Sequence, residues 1–223
     1  ARIVVAGEPH HITQRGNNRQ DAFFVADDRV VYLQFLREYA ARYRFQIHAY
    51  CLMTNHVHIV GIPEEEASLA KAIGRTHFRY SQYINQMHGR SGHLWQGRFH
   101  SCLLDEDYYG NAVHYVEQNP VRARMVRKAW RYPWSSAGVH CGTAKDDGLL
   151  DLALWRDMLG DEARWRSVLE KGIDPEFQAK FRQNTQTGRP LGTDSFLSKL
   201  EHALGRRVRA LPVGRPRKRR EGV

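Results

Sequence analysis

Residues 45–62 hold two β-branched and aromatic runs, FQIHAYCLM and HVHIVGI, with only Thr54 and Asn55 between them. So short a connection closes a hairpin and cannot carry a parallel crossover, so the pair commits the chain to an antiparallel sheet. Pro63 follows the second run and ends it, because proline has no N–H to give to a ladder. Within that run His56 and His58 flank Val57. In a strand both imidazoles leave the same face while the valine leaves the other.

The flanking segments supply the rest of a small α+β domain. HHITQRG (10–16) reads as a short strand with a Gly-Asn-Asn turn behind it. DDRVVYLQFLREYAARYRF (27–45) sets Val31, Phe35 and Tyr39, with Val30 and Leu36, near helical spacing after an aspartate cap. EEEASLAKAIGRTHFRYSQYINQMHG (64–89) opens with acids suited to a helix N-terminus and carries Leu69, Ile73, Phe78, Tyr80 and Ile84. HLWQGRFHSCLL (93–104) predicts a bent strand or hairpin around Gly97, and DEDYYGNAVHYVEQNP (105–120) a helix ending near Asn119, because Pro120 biases its predecessor away from the helical region. The order β-α-β-β-α-β followed by a helix is that of a ferredoxin-like antiparallel sheet with packed helices. Beyond a loop-like passage (131–148), residues 149–184 predict two or three short helices. TDSFLSKLEHALG then predicts a last helix, capped by Thr193 and stopped by Gly205.

The formal charge of +10 points to a polyanionic partner, nucleic acid first. Its distribution is uneven: residues 205–220 carry eight basic side chains and no acid, which leaves residues 1–204 with 26 basic against 23 acidic groups. The C-terminus is therefore a basic arm on a nearly balanced body. Cys51, Cys102 and Cys141 are far apart and in no C-x-x-C spacing, which supports neither a disulfide framework nor a cysteine zinc site. No apolar run approaches a membrane span, and RIVVAG is too short for a signal-peptide core. The expectation is a cytoplasmic chain with no membrane partner.

His56 and His58 can reach one ion, but twelve histidines in 223 residues give roughly 0.6 such pairs by chance. Two polar rings in an apolar strand do require partners. Tyr115 and Asn119, four apart on one helix, share a face. They can place a phenol nucleophile and a neutral oxygen ligand beneath the histidines, or they can be a core tyrosine and a helix-ending Asn-Pro. Tyr108 and Tyr109 lack a polar partner four residues on and read as packing. Arg15 and Arg98 adjoin Gly16 and Gly97 and are candidate phosphate contacts or plain surface charge. Trp95 reads as core. VGRPRKRR (213–220), with Arg215, Arg217 and Lys218, has the shape of a minor-groove arm, or of a generic basic tail. With Arg206 and Arg207 it is the candidate for reading DNA.

YCLMTNHVHIV, LWQGRFHS and YVEQNPVRARMV, with HHITQRGNNRQ ahead of them, resemble the single-tyrosine HUH transposases, and specifically the REP-associated tyrosine transposases. YPWSSAGVH and GRPLGTDSFLSKLEHALGRRV are similar to that group as well. The resemblance covers nearly the whole chain and is weakest between about 140 and 185. It implies the HUH endonuclease fold with a helical, basic C-terminal extension: a catalytic domain over 1–135, a helical connecting region over 136–185, and a DNA-binding helix and arm over 186–223. It implies that His56 and His58 bind Mg²⁺ or Mn²⁺, and that Tyr115 attacks single-stranded DNA to leave a 5′-phosphotyrosine and a free 3′-hydroxyl. Asn119 stands where related enzymes have a glutamine as third ligand, with Gln118 beside it. The implied substrate is a REP-like DNA hairpin, handled by a monomer or homodimer. A mobile insertion-sequence transposase, a non-catalytic DNA-binding regulator on the same fold and, last, a water-activating metallohydrolase are the alternatives.

Overall fold

The structure is a computed structural model that describes residues 3–210. Its centre is a four-stranded sheet built from β1 (His10–Arg15), β2 (Phe45–Leu52), β3 (His56–Pro63) and β4 (His100–Leu103). The strands lie in the order β2-β3-β1-β4, every neighbouring pair antiparallel. Helix α1 (Ala26–Arg42) joins β1 to β2, α2 (Ser68–Met87) joins β3 to β4, and α3 (Glu106–Glu117) follows β4. This is the ferredoxin-like arrangement that the element order implies.

Side-chain alternation divides the sheet into two working faces. Ile12, Val57 and Ile59 point to the side where α1 and α2 pack, and they share a core with Tyr32, Leu36, Leu69, Ile73 and Tyr80. Residues one step out of phase, including Val60 and Cys102, face α3 and form a second core with Tyr109, Ala112, Val113 and Val116. A register shift between Ile47 and Ala49 of β2 moves the strand by one residue. Phe45 and Ile47 before it, and Tyr50 and Leu52 after it, therefore all reach the first core, as a bulge allows.

The buried stripe of α1 is Tyr32, Leu36, Tyr39 and Ala40, not the Val31-Phe35-Tyr39 line that apolarity suggests, and Val30 is exposed. Tyr32 goes deep because its hydroxyl meets His77 Nε2 of α2 at 3.0 Å, which satisfies the phenol where water cannot reach. Phe78 likewise falls off the buried face of α2. Trp95 is buried in the first core. The 93–99 segment is not a hairpin: it runs along the end of β1, held by Gln96 N–H to Arg15 O at 2.9 Å and by Gln14 Nε2 to Gly97 O at 2.7 Å.

Pro120 interrupts α3 without ending the helical path. A short helix, α4 (Asn119–Arg122), continues from Gln118 with the proline in its first turn, where a missing N–H is tolerated. After α5 (Ala137–His140), three helices cover the second face: α6 (Leu152–Leu159), α7 (Glu162–Glu170) and α8 (Pro175–Thr187). Trp155, Trp165, Leu169 and Phe181 carry them into the core with α3, and α8 packs against β4 and β1. The last helix, α9 (Asp194–Leu204), starts where Thr193 Oγ1 accepts the Phe196 N–H and stops at Gly205 with φ of 60°, a conformation that favours glycine. Its Leu200, together with Val208 beyond the helix, packs on Leu103. All three cysteines are free and buried. No helix among the described residues is long and apolar enough to cross a membrane.

Candidate active site

The antiparallel register sets Arg15 opposite His56 and Thr13 opposite His58, so β1 and β3 present a polar strip on the α3 side of an otherwise apolar sheet. A cleft of about 1270 Å³ opens over this strip. Into it project Arg15, His56, His58, Arg98, Tyr115 and Asn119, which the sequence singles out, together with His11, Arg122 and Arg182, which it does not. Four arginines and no aspartate or glutamate line it among the described residues. A concave surface with that charge suits phosphate.

Each histidine of the pair is held by its Nδ1. His56 Nδ1 lies 2.7 Å from Asn55 Oδ1, and the Asn55 amide is oriented by Nδ2 donating to Arg19 O at 3.0 Å. The ring must therefore donate from Nδ1, which leaves a lone pair on Nε2. His58 Nδ1 lies 2.9 Å from His11 Nε2, and His11 Nδ1 lies 2.9 Å from Thr185 Oγ1 of α8. Neither Nε2 of the pair is a buried atom left without a partner; both open on the cleft. Burial, with Arg15 and Arg122 nearby, lowers His56 to about 4. Burial first and then His56, His11 and the arginines hold His58 well below its ordinary value, and burial lowers His11 to about 3. Neutral rings with Nδ1 anchored and Nε2 free are what a divalent cation requires of imidazole ligands. The pair fits a metal, although no group of three His, Cys, Asp or Glu side chains suited to an ion occurs among the described residues.

Tyr115 sits beside this pair, its ring centroid 5.8 Å from that of His58 and nearly perpendicular to it. The side chain is buried, packed by Phe181 with centroids 4.7 Å apart. Its hydroxyl accepts the Arg182 Nε–H at 3.1 Å, and the Arg122 guanidinium lies over its ring at 4.0 Å from the centroid.

Asn119 is present in the cleft, but both ends of its amide are engaged. Pro120 has no N–H for the Val116 carbonyl, and Asn119 Nδ2 stands in for it, donating to Val116 O at 3.1 Å and Tyr115 O at 3.3 Å. Asn119 Oδ1 then accepts from Arg122 Nη2 at 2.7 Å. Gln118 turns the other way and donates to Leu169 O. Tyr109 is fully buried with its hydroxyl 2.7 Å from His48 Nδ1, and Tyr108 stacks on Phe177.

Gly16 and Gly97 differ in kind. A Cβ on Gly16 would lie 2.2 Å from Gln20 O, whereas one on Gly97 meets nothing within 4 Å. The first glycine is demanded by the chain's own turn, and only the second leaves room for a ligand. Arg206 and Arg207 are exposed and away from the cleft. Arg215, Arg217 and Lys218 lie outside the described residues.

Of the side chains the sequence did not single out, Arg122 had a signal: it is seven residues after Tyr115, two turns along the same stripe. His11 also had one, two residues before Thr13 on the strand face that opposes His58. Arg182 had none, since only tertiary packing brings α8 over α3.

Comparison with known proteins adds independent findings. No curated protein matches the sequence. The chain resembles a solved REP-associated tyrosine transposase bound to a REP hairpin, at 16% identity and a TM-score of 0.52 over 68% of this chain and 87% of that one. That likeness shows the shared fold. A candidate transposase from Deinococcus radiodurans R1 aligns at 18% identity and a TM-score of 0.37, over 56% of this chain and 90% of that one. The model of the IS200-like transposases matches residues 7–119. Those residues run from just ahead of β1 to Asn119, more than half of the chain, and take in the His56-His58 strand and the Tyr115 helix. By that match this chain belongs to the IS200-like transposase family, a transposase of the single-tyrosine type.

Proposed function

We propose that the chain is a divalent-metal-dependent endonuclease and strand transferase for single-stranded DNA, acting at REP-type hairpins in the bacterial cytoplasm through a 5′-phosphotyrosine at Tyr115. The observation that carries this is the meeting, in one arginine-lined cleft without acids, of the Tyr115 hydroxyl and the free Nε2 edges of His56 and His58. His56 and His58 would hold Mg²⁺ or Mn²⁺, with Asn119 Oδ1 as third donor once Arg122 releases it. Such an ion supplies Lewis acidity to a phosphate oxygen.

The chain's own groups do the rest. Arg15 and Arg98 draw the phosphate backbone into the cleft, and Tyr115 supplies the nucleophile. The new bond joins Tyr115 Oη to phosphorus and the P–O3′ bond breaks. The phenol proton leaves by way of solvent, and the departing strand takes up a proton as its 3′-hydroxyl. Rejoining reverses these steps, so the bond energy is kept in the adduct. The hairpin substrate is supported by the REP hairpin in the solved transposase of the same fold. Basic residues from Arg206 onward, including Arg215, Arg217 and Lys218, would add salt-dependent affinity outside the cleft. A monomer would cut and rejoin one junction at a time; a homodimer would serve two.

The test is incubation with hairpin oligonucleotides bearing single-stranded flanks, with Mg²⁺ or Mn²⁺, followed by a denaturing protein gel. A metal-dependent covalent adduct that Tyr115→Phe abolishes, and that Tyr108→Phe and Tyr109→Phe retain, is the expected result. Tight DNA binding with no adduct from the unaltered protein would instead make it a DNA-binding regulator.

A further inference from the structure

We propose that Arg182 is a catalytic residue, the cation that stabilises the Tyr115 oxygen when the tyrosyl-phosphate bond is made and broken; this rests on the function proposed above. Arg182 lies on α8, outside residues 7–119 that the family model matches. Its Nε–H reaches Tyr115 Oη at 3.1 Å, which is the reacting atom itself.

The contact is built, because α8 is anchored on both sides of it. Phe181, fully buried, packs against His11 and Tyr115 with ring centroids 4.5 and 4.7 Å away. Thr185, one turn further on, has its hydroxyl 2.9 Å from His11 Nδ1. Arg182, three residues before Thr185, lies on the same side of the helix, and its Nε reaches the phenol there. Arg182 makes no ion pair with a carboxylate among the described residues, so its charge is available to the oxygen.

In rejoining, a 3′-hydroxyl attacks the phosphorus and the P–Oη bond breaks. The electron pair stays on Oη as phenolate, and the attacking hydroxyl's proton passes to solvent. A guanidinium already bonded to Oη stabilises that charge as it develops and needs no reorganisation. In cleavage the same hydrogen bond aims an oxygen lone pair at the phosphate. Arg122, stacked on the ring face and bonded to the Tyr115 carbonyl at 2.8 Å, holds the ring while Arg182 serves the oxygen.

The experiment uses the full chain with Arg182→Gln, Arg182→Ala, Arg182→Lys and Tyr115→Phe, a hairpin oligonucleotide and Mn²⁺. Adduct formation is timed at saturating DNA, resolution of isolated adduct is timed with an added 3′-hydroxyl strand, and DNA affinity is measured separately. Arg182→Gln is expected to slow both reactions about 100-fold, with Kd changed less than about 5-fold. Arg182→Lys should be intermediate, and guanidinium ion in solution should restore part of the rate to Arg182→Ala. Wild-type rates in Arg182→Gln and Arg182→Ala would overturn the proposal. So would a loss confined to Kd, which would make Arg182 a phosphate contact only. An unaltered protein that binds the hairpin yet forms no adduct would overturn instead the function on which the proposal rests, and Arg182 with it.

Discussion

Asn119 Oδ1 and Arg122 Nη2 are 2.7 Å apart, so the oxygen proposed above as the third donor to a cation is held by an arginine three residues along the same helical path. The pairing follows from Pro120: the amide turns its Nδ2 inward to the carbonyl that lost its partner, and its oxygen is left facing Arg122. If Asn119 becomes a ligand, the cation and the guanidinium compete for one oxygen. Arg122→Met is therefore expected to tighten Mn²⁺ binding about 10-fold by titration calorimetry, since it frees the oxygen and removes a repelling charge. Adding Asn119→Ala should cancel most of that gain. An equal effect of Asn119→Ala in both backgrounds would show that Arg122 does not compete with the ion for that oxygen, and no effect in either would show that the oxygen does not bind the ion.

The His58–His11–Thr185 chain leads to a second expectation. Outer partners fix a ligand ring's tautomer and direction, and their loss typically weakens metal binding about 10- to 100-fold. His11→Phe keeps an aromatic ring in place, slightly larger than the imidazole, and removes both hydrogen bonds. It should weaken Mn²⁺ binding within that range and leave the fold intact by circular dichroism. Unchanged affinity would mean that packing alone orients His58.

A third prediction concerns the start of α1. Asp28 is fully buried; one carboxylate oxygen accepts the Phe24 and Val25 N–H groups at 2.7 and 3.0 Å, and the other meets His88 Nε2 at 3.1 Å. Burial raises its pKa, but the Val25, His88 and Phe24 hydrogen bonds outweigh burial and leave it below the ordinary 3.8. A carboxyl whose folded pKa is depressed contributes stability above its unfolded pKa and loses it as pH falls through the folded one. Asp28→Asn should therefore cost about 1–3 kcal/mol at pH 7 by urea denaturation, and the difference from wild type should shrink below about pH 4. A gap that stays constant down to pH 2 would refute the charge-based account.

How much of this was legible in the sequence differs by element. The β2-β3 hairpin was, because two apolar runs two residues apart allow little else, and so was α9, whose Thr193 cap and Gly205 stop are local chemistry. The buried stripe of α1 was not, because Tyr32 is buried through a hydrogen bond to a helix 45 residues away. At the site, His56, His58, Tyr115 and Asn119 have strand or helix spacing that brings them to one cleft. The engagement of Asn119 was hidden, since it depends on which carbonyl Pro120 leaves open. Arg182 and Thr185 were hidden too, because nothing local in α8 says what it covers.

The last prediction concerns the other face of α3, where Glu117 stands two residues from Tyr115. Its carboxylate is wholly buried and accepts from Ser136 Oγ at 2.5 Å and Trp165 Nε1 at 2.8 Å, with His140 Nδ1 at 2.6 Å. One side chain thereby ties the Tyr115 helix to α5, α7 and the loop before α5, which makes it a keystone for the cover over the second face. Glu117→Ala strands several buried polar groups at once and should cost about 3–5 kcal/mol. Glu117→Gln keeps the shape and part of the bonding, and should cost about 1–3 kcal/mol. Denaturant midpoints would rank the two. If both variants unfold with the wild type, the network contributes no net stability; if the ranking holds, adduct formation by Glu117→Gln should stay near wild type below its melting point, because no atom of Glu117 lines the cleft.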